Sequence, residues 1–143
     1  MVFLKMAEKN DWARIQAPSL EDFQDMADAA YAALPDEFRA LCDGLIIHIE
    51  DFPDKETLED MECESDFDLL GLFQGRGLAQ REATLQTGEF PNMIWLYRRP
   101  ILDYWAEHEE KLGDIITHVL VHEIGHHFGF SDEDMEAIEE SVG

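Results

Sequence analysis

The chain has 143 residues and carries 33 Asp and Glu against 10 Lys and Arg, a formal charge of -23 at pH 7. That length holds one domain, residues 1–143, with a real core and room for only a shallow cleft. The charge excludes nucleic acid and anionic membrane as partners, since both need a cationic surface, and favours basic or neutral ligands; acidity that merely keeps the protein soluble is the plainer alternative. The start, Met1-Val2-Phe3-Leu4-Lys5, lacks the apolar stretch of a signal peptide, and no run is long enough to cross a bilayer, so the expected location is cytoplasmic. Cys42 and Cys63 show neither zinc-knuckle spacing nor a disulfide framework and are expected to be free thiols.

In chain order, Ser19 followed by Asp22 predicts a capped helix through about Leu34, with Phe23, Met26, Ala27, Ala30 and Tyr31 on its apolar side. Pro35 starts a second short turn toward Cys42, and Gly44 breaks it. Leu45-Ile46-Ile47-His48-Ile49 has the β-branched content of a strand, which gives His48 a structural or surface role. The acidic stretch from Glu50 to Asp68 holds one lysine, Lys55, and reads as a solvated loop with a short helix. Leu69 to Gln74 and Met93 to Tyr97 complete a three-stranded set, with Gly75-Arg76-Gly77 as a turn after the first of them. Pro100 suits the first turn of a helix from Ile101 to about Glu109, bent or broken near Gly113 before a last, apolar-faced helix carrying Ile116, Val119, Leu120, Ile124 and Phe128.

That helix contains His122-Glu123-Ile124-Gly125-His126-His127-Phe128-Gly129-Phe130-Ser131-Asp132. Residues four apart stack on one helix face, so His122 and His126 can offer nitrogens to a single ion while Glu123 stands beside them, the H-E-x-x-H arrangement of zinc peptidases. A bare H-E-x-x-H arises by chance in this composition with odds of roughly a few per cent; requiring Gly129 and Asp132 as well lowers them to about two in ten thousand. Gly129 can end the helix in a left-handed conformation and let the chain double back to aim Asp132 at the metal. The spacing resembles the metzincin pattern with a carboxylate in place of its third histidine. With zinc held by His122, His126 and Asp132, Glu123 would serve as the base for a metal-activated water.

The neighbouring residues carry weaker signals. His118 lies one turn before His122 and faces the same way, as a group near the metal or as a partly buried helix histidine. His127 is turned about 100° from the ligands and reads as packing. Asp132 has an alternative of its own: Ser131 can cap the final helix with Asp134 completing a capping box, leaving Asp132 to favour the helix dipole. Met135 reads as a core methionine. Arg98, Arg99, Tyr97 and Tyr104 are candidates to steady an oxyanion, against the plainer reading that the arginines pair with nearby carboxylates.

Leu96-Tyr97-Arg98-Arg99-Pro100-Ile101-Leu102, followed by the run from His122 to Met135, resembles the small bacterial minimal zincin family, also called acidic metallopeptidase-like. The likeness is strongest from about Met93 to Glu136 and reaches more loosely back to Leu45. It implies an α+β fold, a reduced zincin-like domain whose small sheet packs against helices including the H-E-x-x-H helix. It also implies Zn2+ at His122, His126 and Asp132, with Glu123 as the catalytic acid and base. The expected function is a zinc-dependent peptidase-like hydrolase acting on short or unfolded peptide or protein substrates. The rival is a non-catalytic, zinc-stabilised binding protein, which a fourth coordination position closed by His118 or another side chain would favour.

Overall fold

Ser19 opens the first helix by the predicted reciprocal cap: its hydroxyl accepts from the Asp22 amide at 3.0 Å, and its own amide donates to the Asp22 carboxylate at 2.8 Å. The computed structural model describes residues 11–75 and 91–142, and in it this helix, α1, spans Leu20–Ala32. Phe23 and Ala27 are buried along one stripe, with Met26, Ala30 and Tyr31 packed beside them. A single turn, α2 (Asp36–Arg39), and a 3-10 turn (Ala40–Cys42) follow, and Gly44 reverses the chain at φ +73°. Strand β1 is Ile46–Glu50.

The acidic stretch folds its short helix, α3 (Lys55–Asp60), behind an Asp54 cap that accepts from the Thr57 amide at 2.8 Å. Strand β2 is Gly71–Gln74 and strand β3 is Met93–Tyr97. The sheet order is β1-β3-β2, with β3 parallel to β1 and antiparallel to β2. Alternation along the strands turns Phe73, Ile94 and Leu96 into the core, while His48 and Trp95, paired across the ladder, stack on the other face at 4.9 Å. His48 thus has the structural role expected of it. Of the expected turn at Gly75-Arg76-Gly77, the last two residues lie outside the described residues.

Helix α4 (Arg98–Glu107) leaves β3 directly, with Pro100 in its first turn. Its end corrects one expectation. The break before the last helix falls at His108, extended at φ -125° and ψ 153°, and not at Gly113, which sits inside the first turn of α5 (Leu112–His127). His108 stops α4 itself: its Nδ1 lies 2.7 Å from the Tyr104 carbonyl, and its ring stacks on Tyr104 at 3.8 Å. One orphaned carbonyl of the helix end thereby gains a partner.

Helix α5 buries Leu112, Ile115, Ile116, Val119, Leu120 and Ile124 against the sheet and α1, so its apolar stripe fixes which residues remain for the other side. A last helix, α6 (Asp132–Val142), packs back on α5. The described residues thus form six helices and one three-stranded mixed sheet, the α+β architecture expected from the sequence.

Candidate metal centre

The turn between α5 and α6 determines what can reach the motif helix. Gly129 adopts φ +79°, its amide donates to the His126 carbonyl at 3.2 Å, and the Phe130 amide donates to the Gly125 carbonyl at 2.8 Å. This pair of bonds is a Schellman closure, for which a left-handed residue just past the helix is required. Ser131 then caps α6, accepting from the Asp134 amide at 3.1 Å. The chain doubles back within a few residues, and Asp132 becomes the first residue of α6.

Gly125, inside the motif, is the contact point of the two helices. A Cβ there would come within 2.5 Å of Met135 Sδ, and Met135 is fully buried. Sequence reasoning placed Met135 in the core but assigned nothing to Gly125. Replacing Gly125 with valine is expected to cost about 1–3 kcal/mol by overpacking, read from urea denaturation, with Met135→Ala in the same chain restoring part of it.

Opposite the apolar stripe, α5 presents three histidines in successive turns. The His118 and His122 rings stack at 3.9 Å, and the His122 and His126 rings meet at 5.6 Å, nearly perpendicular. His118 and His126 are exposed and His122 is half-buried. Burial holds the His122 pKa below its ordinary value, helped by His118 and His126 and opposed by Glu139 and Asp132. A neutral imidazole is the form with a lone pair free for a metal, so His122 suits a ligand role. The influence of Asp132 puts its carboxylate within electrostatic reach of the same ring.

Glu123 is half-buried, and burial alone pushes its pKa up to about 7. Its titration is linked to stability with a definite sign. Below about pH 4.5, the ordinary value, the carboxyl is protonated whether folded or unfolded. Between there and about pH 7 the unfolded chain releases the proton while the folded one keeps it, so stability falls as pH rises, by about 3 kcal/mol in all. In metal-free protein, the stability difference between Glu123→Gln and wild type should therefore grow by that amount from about pH 4 to about pH 8. A difference that stays flat in denaturant titrations at the two pH values would contradict the burial argument. Added zinc should lower the midpoint, because a nearby cation favours the ionised form.

Among the described residues, the metal-capable group whose ligand atoms all lie within 4.8 Å of one another is His118, His122 and Glu139. His118 Nδ1 is 2.6 Å and His122 Nε2 3.7 Å from the Glu139 carboxylate. The approach of His122 to Glu139 is an ion pair only when the imidazole is protonated, a form that burial disfavours. Sequence reasoning missed Glu139. The available signal was its place four residues after Met135 and seven after Asp132, on the α6 face that meets α5.

The other candidates are engaged elsewhere. Arg98 pairs with Asp51 at 3.0 Å and donates to the Pro18 carbonyl at 2.6 Å, while the Arg99 guanidinium lies over the Phe52 ring at 5.4 Å. Tyr104 donates to Glu110 at 3.3 Å. Tyr97 is buried at the end of β3; burial first, and then the charges of Glu50, Asp54 and Glu123, push its pKa up to about 12. His127 packs on Phe73 of β2 at 4.4 Å and on Phe128 at 5.0 Å. Strand β2, at an edge of the three-stranded sheet, is therefore the strand beside the motif.

A family model described as zincin-like metallopeptidase matches residues 42–142, which takes in the whole sheet and the helices α3 to α6. No curated protein matches the sequence.

Proposed function

The chain belongs to the zincin-like metallopeptidase family, and on that premise we propose that it is a zinc-dependent peptidase-like hydrolase acting on short or unfolded peptides, with peptide or protein as its partner. His122, His126 and Asp132 would hold the ion, a donor set of two imidazoles and a carboxylate that suits zinc and leaves a position open. Bound there, zinc supplies Lewis acidity toward a carbonyl and a water of lowered pKa. Glu123 would be the group that takes a proton from a water there and returns it to the leaving amine. The observation that carries this reading is the half-buried carboxylate of Glu123 next to His122 on α5, a proton acceptor beside the candidate ligands.

The remaining chain supports the peptide assignment. Strand β2 lies at an edge of the sheet among the described residues, and such an edge can hold an extended peptide by main-chain hydrogen bonds. The charge of -23 disfavours polyanions and suits basic or neutral sequences. No helix among the described residues is long and apolar enough to cross a membrane, and both cysteines are free, which fits a reducing cytoplasm. The expected experiment is hydrolysis of an unbiased peptide library by the zinc-loaded chain, lost with chelator and restored by zinc. RNA run in parallel should stay intact.

A second reading has one observation in its favour. Glu139 and His118 stand where they could close the coordination shell around His122, as a zinc-stabilised binding protein would require. Zinc bound without turnover of any library peptide would decide for it.

A further inference from the structure

Glu139 reaches α5 because Met135, one turn earlier on α6, is fully buried against it, so the stripe they share faces the motif helix. Its carboxylate spans two histidines of α5, with Oε1 at 2.6 Å from His118 Nδ1 and Oε2 at 3.7 Å from His122 Nε2. Around a tetrahedral zinc with ligands about 2.0–2.1 Å away, the ligand atoms stand about 3.3–3.4 Å from one another. The two observed distances, one from each oxygen of the carboxylate, lie on either side of that edge, and one ligand atom from each of the three residues falls within a common 4.8 Å limit. Seating an ion requires the Glu139 and His118 atoms to part by less than about 1 Å.

The surroundings suit a cation as well. His118 and Glu139 line a cavity of about 480 Å³ that they share with Glu110, Asp114, Glu136 and Glu140. Such a concentration of like charge at an open mouth raises the local concentration of cations.

We propose that His118, His122 and Glu139 form a second zinc seat, one helical turn toward the start of α5 from the seat of His122, His126 and Asp132. Both seats use His122 Nε2, so the two ion positions stand no more than about 4.2 Å apart, on either side of that nitrogen. The lone pair of His122 Nε2 serves one ion at a time, which makes occupancy through that atom alternative. The second seat opens on the acidic cavity and so is the one at which zinc arrives. This inference rests on the family reading only in that α5 binds zinc.

The test reads metal and not turnover. Metal-free protein is titrated with zinc against a chromophoric chelator and with cobalt(II) followed by its visible absorption. His126→Ala, which dismantles the first seat, should still bind one equivalent. Adding Glu139→Gln or His118→Ala to that chain should weaken binding further, by at least the roughly 10- to 100-fold that follows loss of even an indirect partner of a metal site. His122→Ala should lose both seats. Two results would overturn the proposal: His126→Ala binding no better than His122→Ala, or neither added substitution changing the affinity. His118 and His126 are exposed, so these variants keep the fold, which circular dichroism checks. Failure of the peptidase reading would appear separately, as zinc-bound wild type that cuts no peptide.

Discussion

Glu123→Gln is expected to cut hydrolysis by about 10²- to 10⁴-fold while zinc stays bound, and to make the metal-free protein more stable at neutral pH. The substitution preserves shape and packing but removes the carboxylate that follows His122 on α5. Burial opposes the ionisation of that carboxylate, holding its pKa at about 7. Above that pH the wild-type chain must carry a charge that is partly removed from water, and the variant carries none. Activity and stability should therefore move in opposite directions. A residue kept for structure alone would lose both on replacement, whereas a group strained for chemistry gains stability when it is disarmed. Steady-state turnover and zinc content of the loaded protein, with urea denaturation of the metal-free protein, separate the cases. Full hydrolytic activity in zinc-loaded Glu123→Gln would remove Glu123 from the mechanism.

Short-range features were the most legible part of the chain. The Ser19 and Asp22 capping box, the left-handed Gly129 and the strand at Met93–Tyr97 depend on residues within a few positions of one another. Each appears where the sequence places it. The end of α4 was not legible, because the choice between Gly113 and His108 as the break turns on a ring stacking over Tyr104 while its nitrogen meets a carbonyl. A glycine in the first turn of a helix costs about 1 kcal/mol, too little to end it against the burial of Leu112, Ile115 and Ile116. Glu139 was hidden for another reason. It is one of six carboxylates between Asp132 and Glu140, and only the tertiary contact of Met135 with Gly125 shows which of them turns toward the histidines. The same contact explains why a small residue stands inside the motif. A residue type every four positions identified the helix face, but the depth to which the next helix approaches it is a property of two segments together.

Asp132→Ala is expected to lower hydrolysis at least about a hundredfold while changing the stability of the metal-free protein by no more than about 0.5 kcal/mol. The two readings of Asp132 differ on this point. If the residue serves only the start of α6, its loss removes a favourable charge from the first turn, an effect of about 0.3–1 kcal/mol on stability that leaves catalysis alone. Yet α6 is already capped without it, since Ser131 accepts from the Asp134 amide at 3.1 Å and its own amide lies 3.5 Å from the Asp134 carboxylate. Asp132 itself is exposed, so truncating it opens no cavity. Its field nonetheless reaches His122 across the turn that Gly129 closes. Ser131→Ala is the complementary variant, expected to cost about 1 kcal/mol of stability through loss of the cap. Thermal denaturation of both variants without metal, and peptide hydrolysis with zinc, assign each role. If Asp132→Ala retained activity, the third ligand of the working seat would have to come from another side chain.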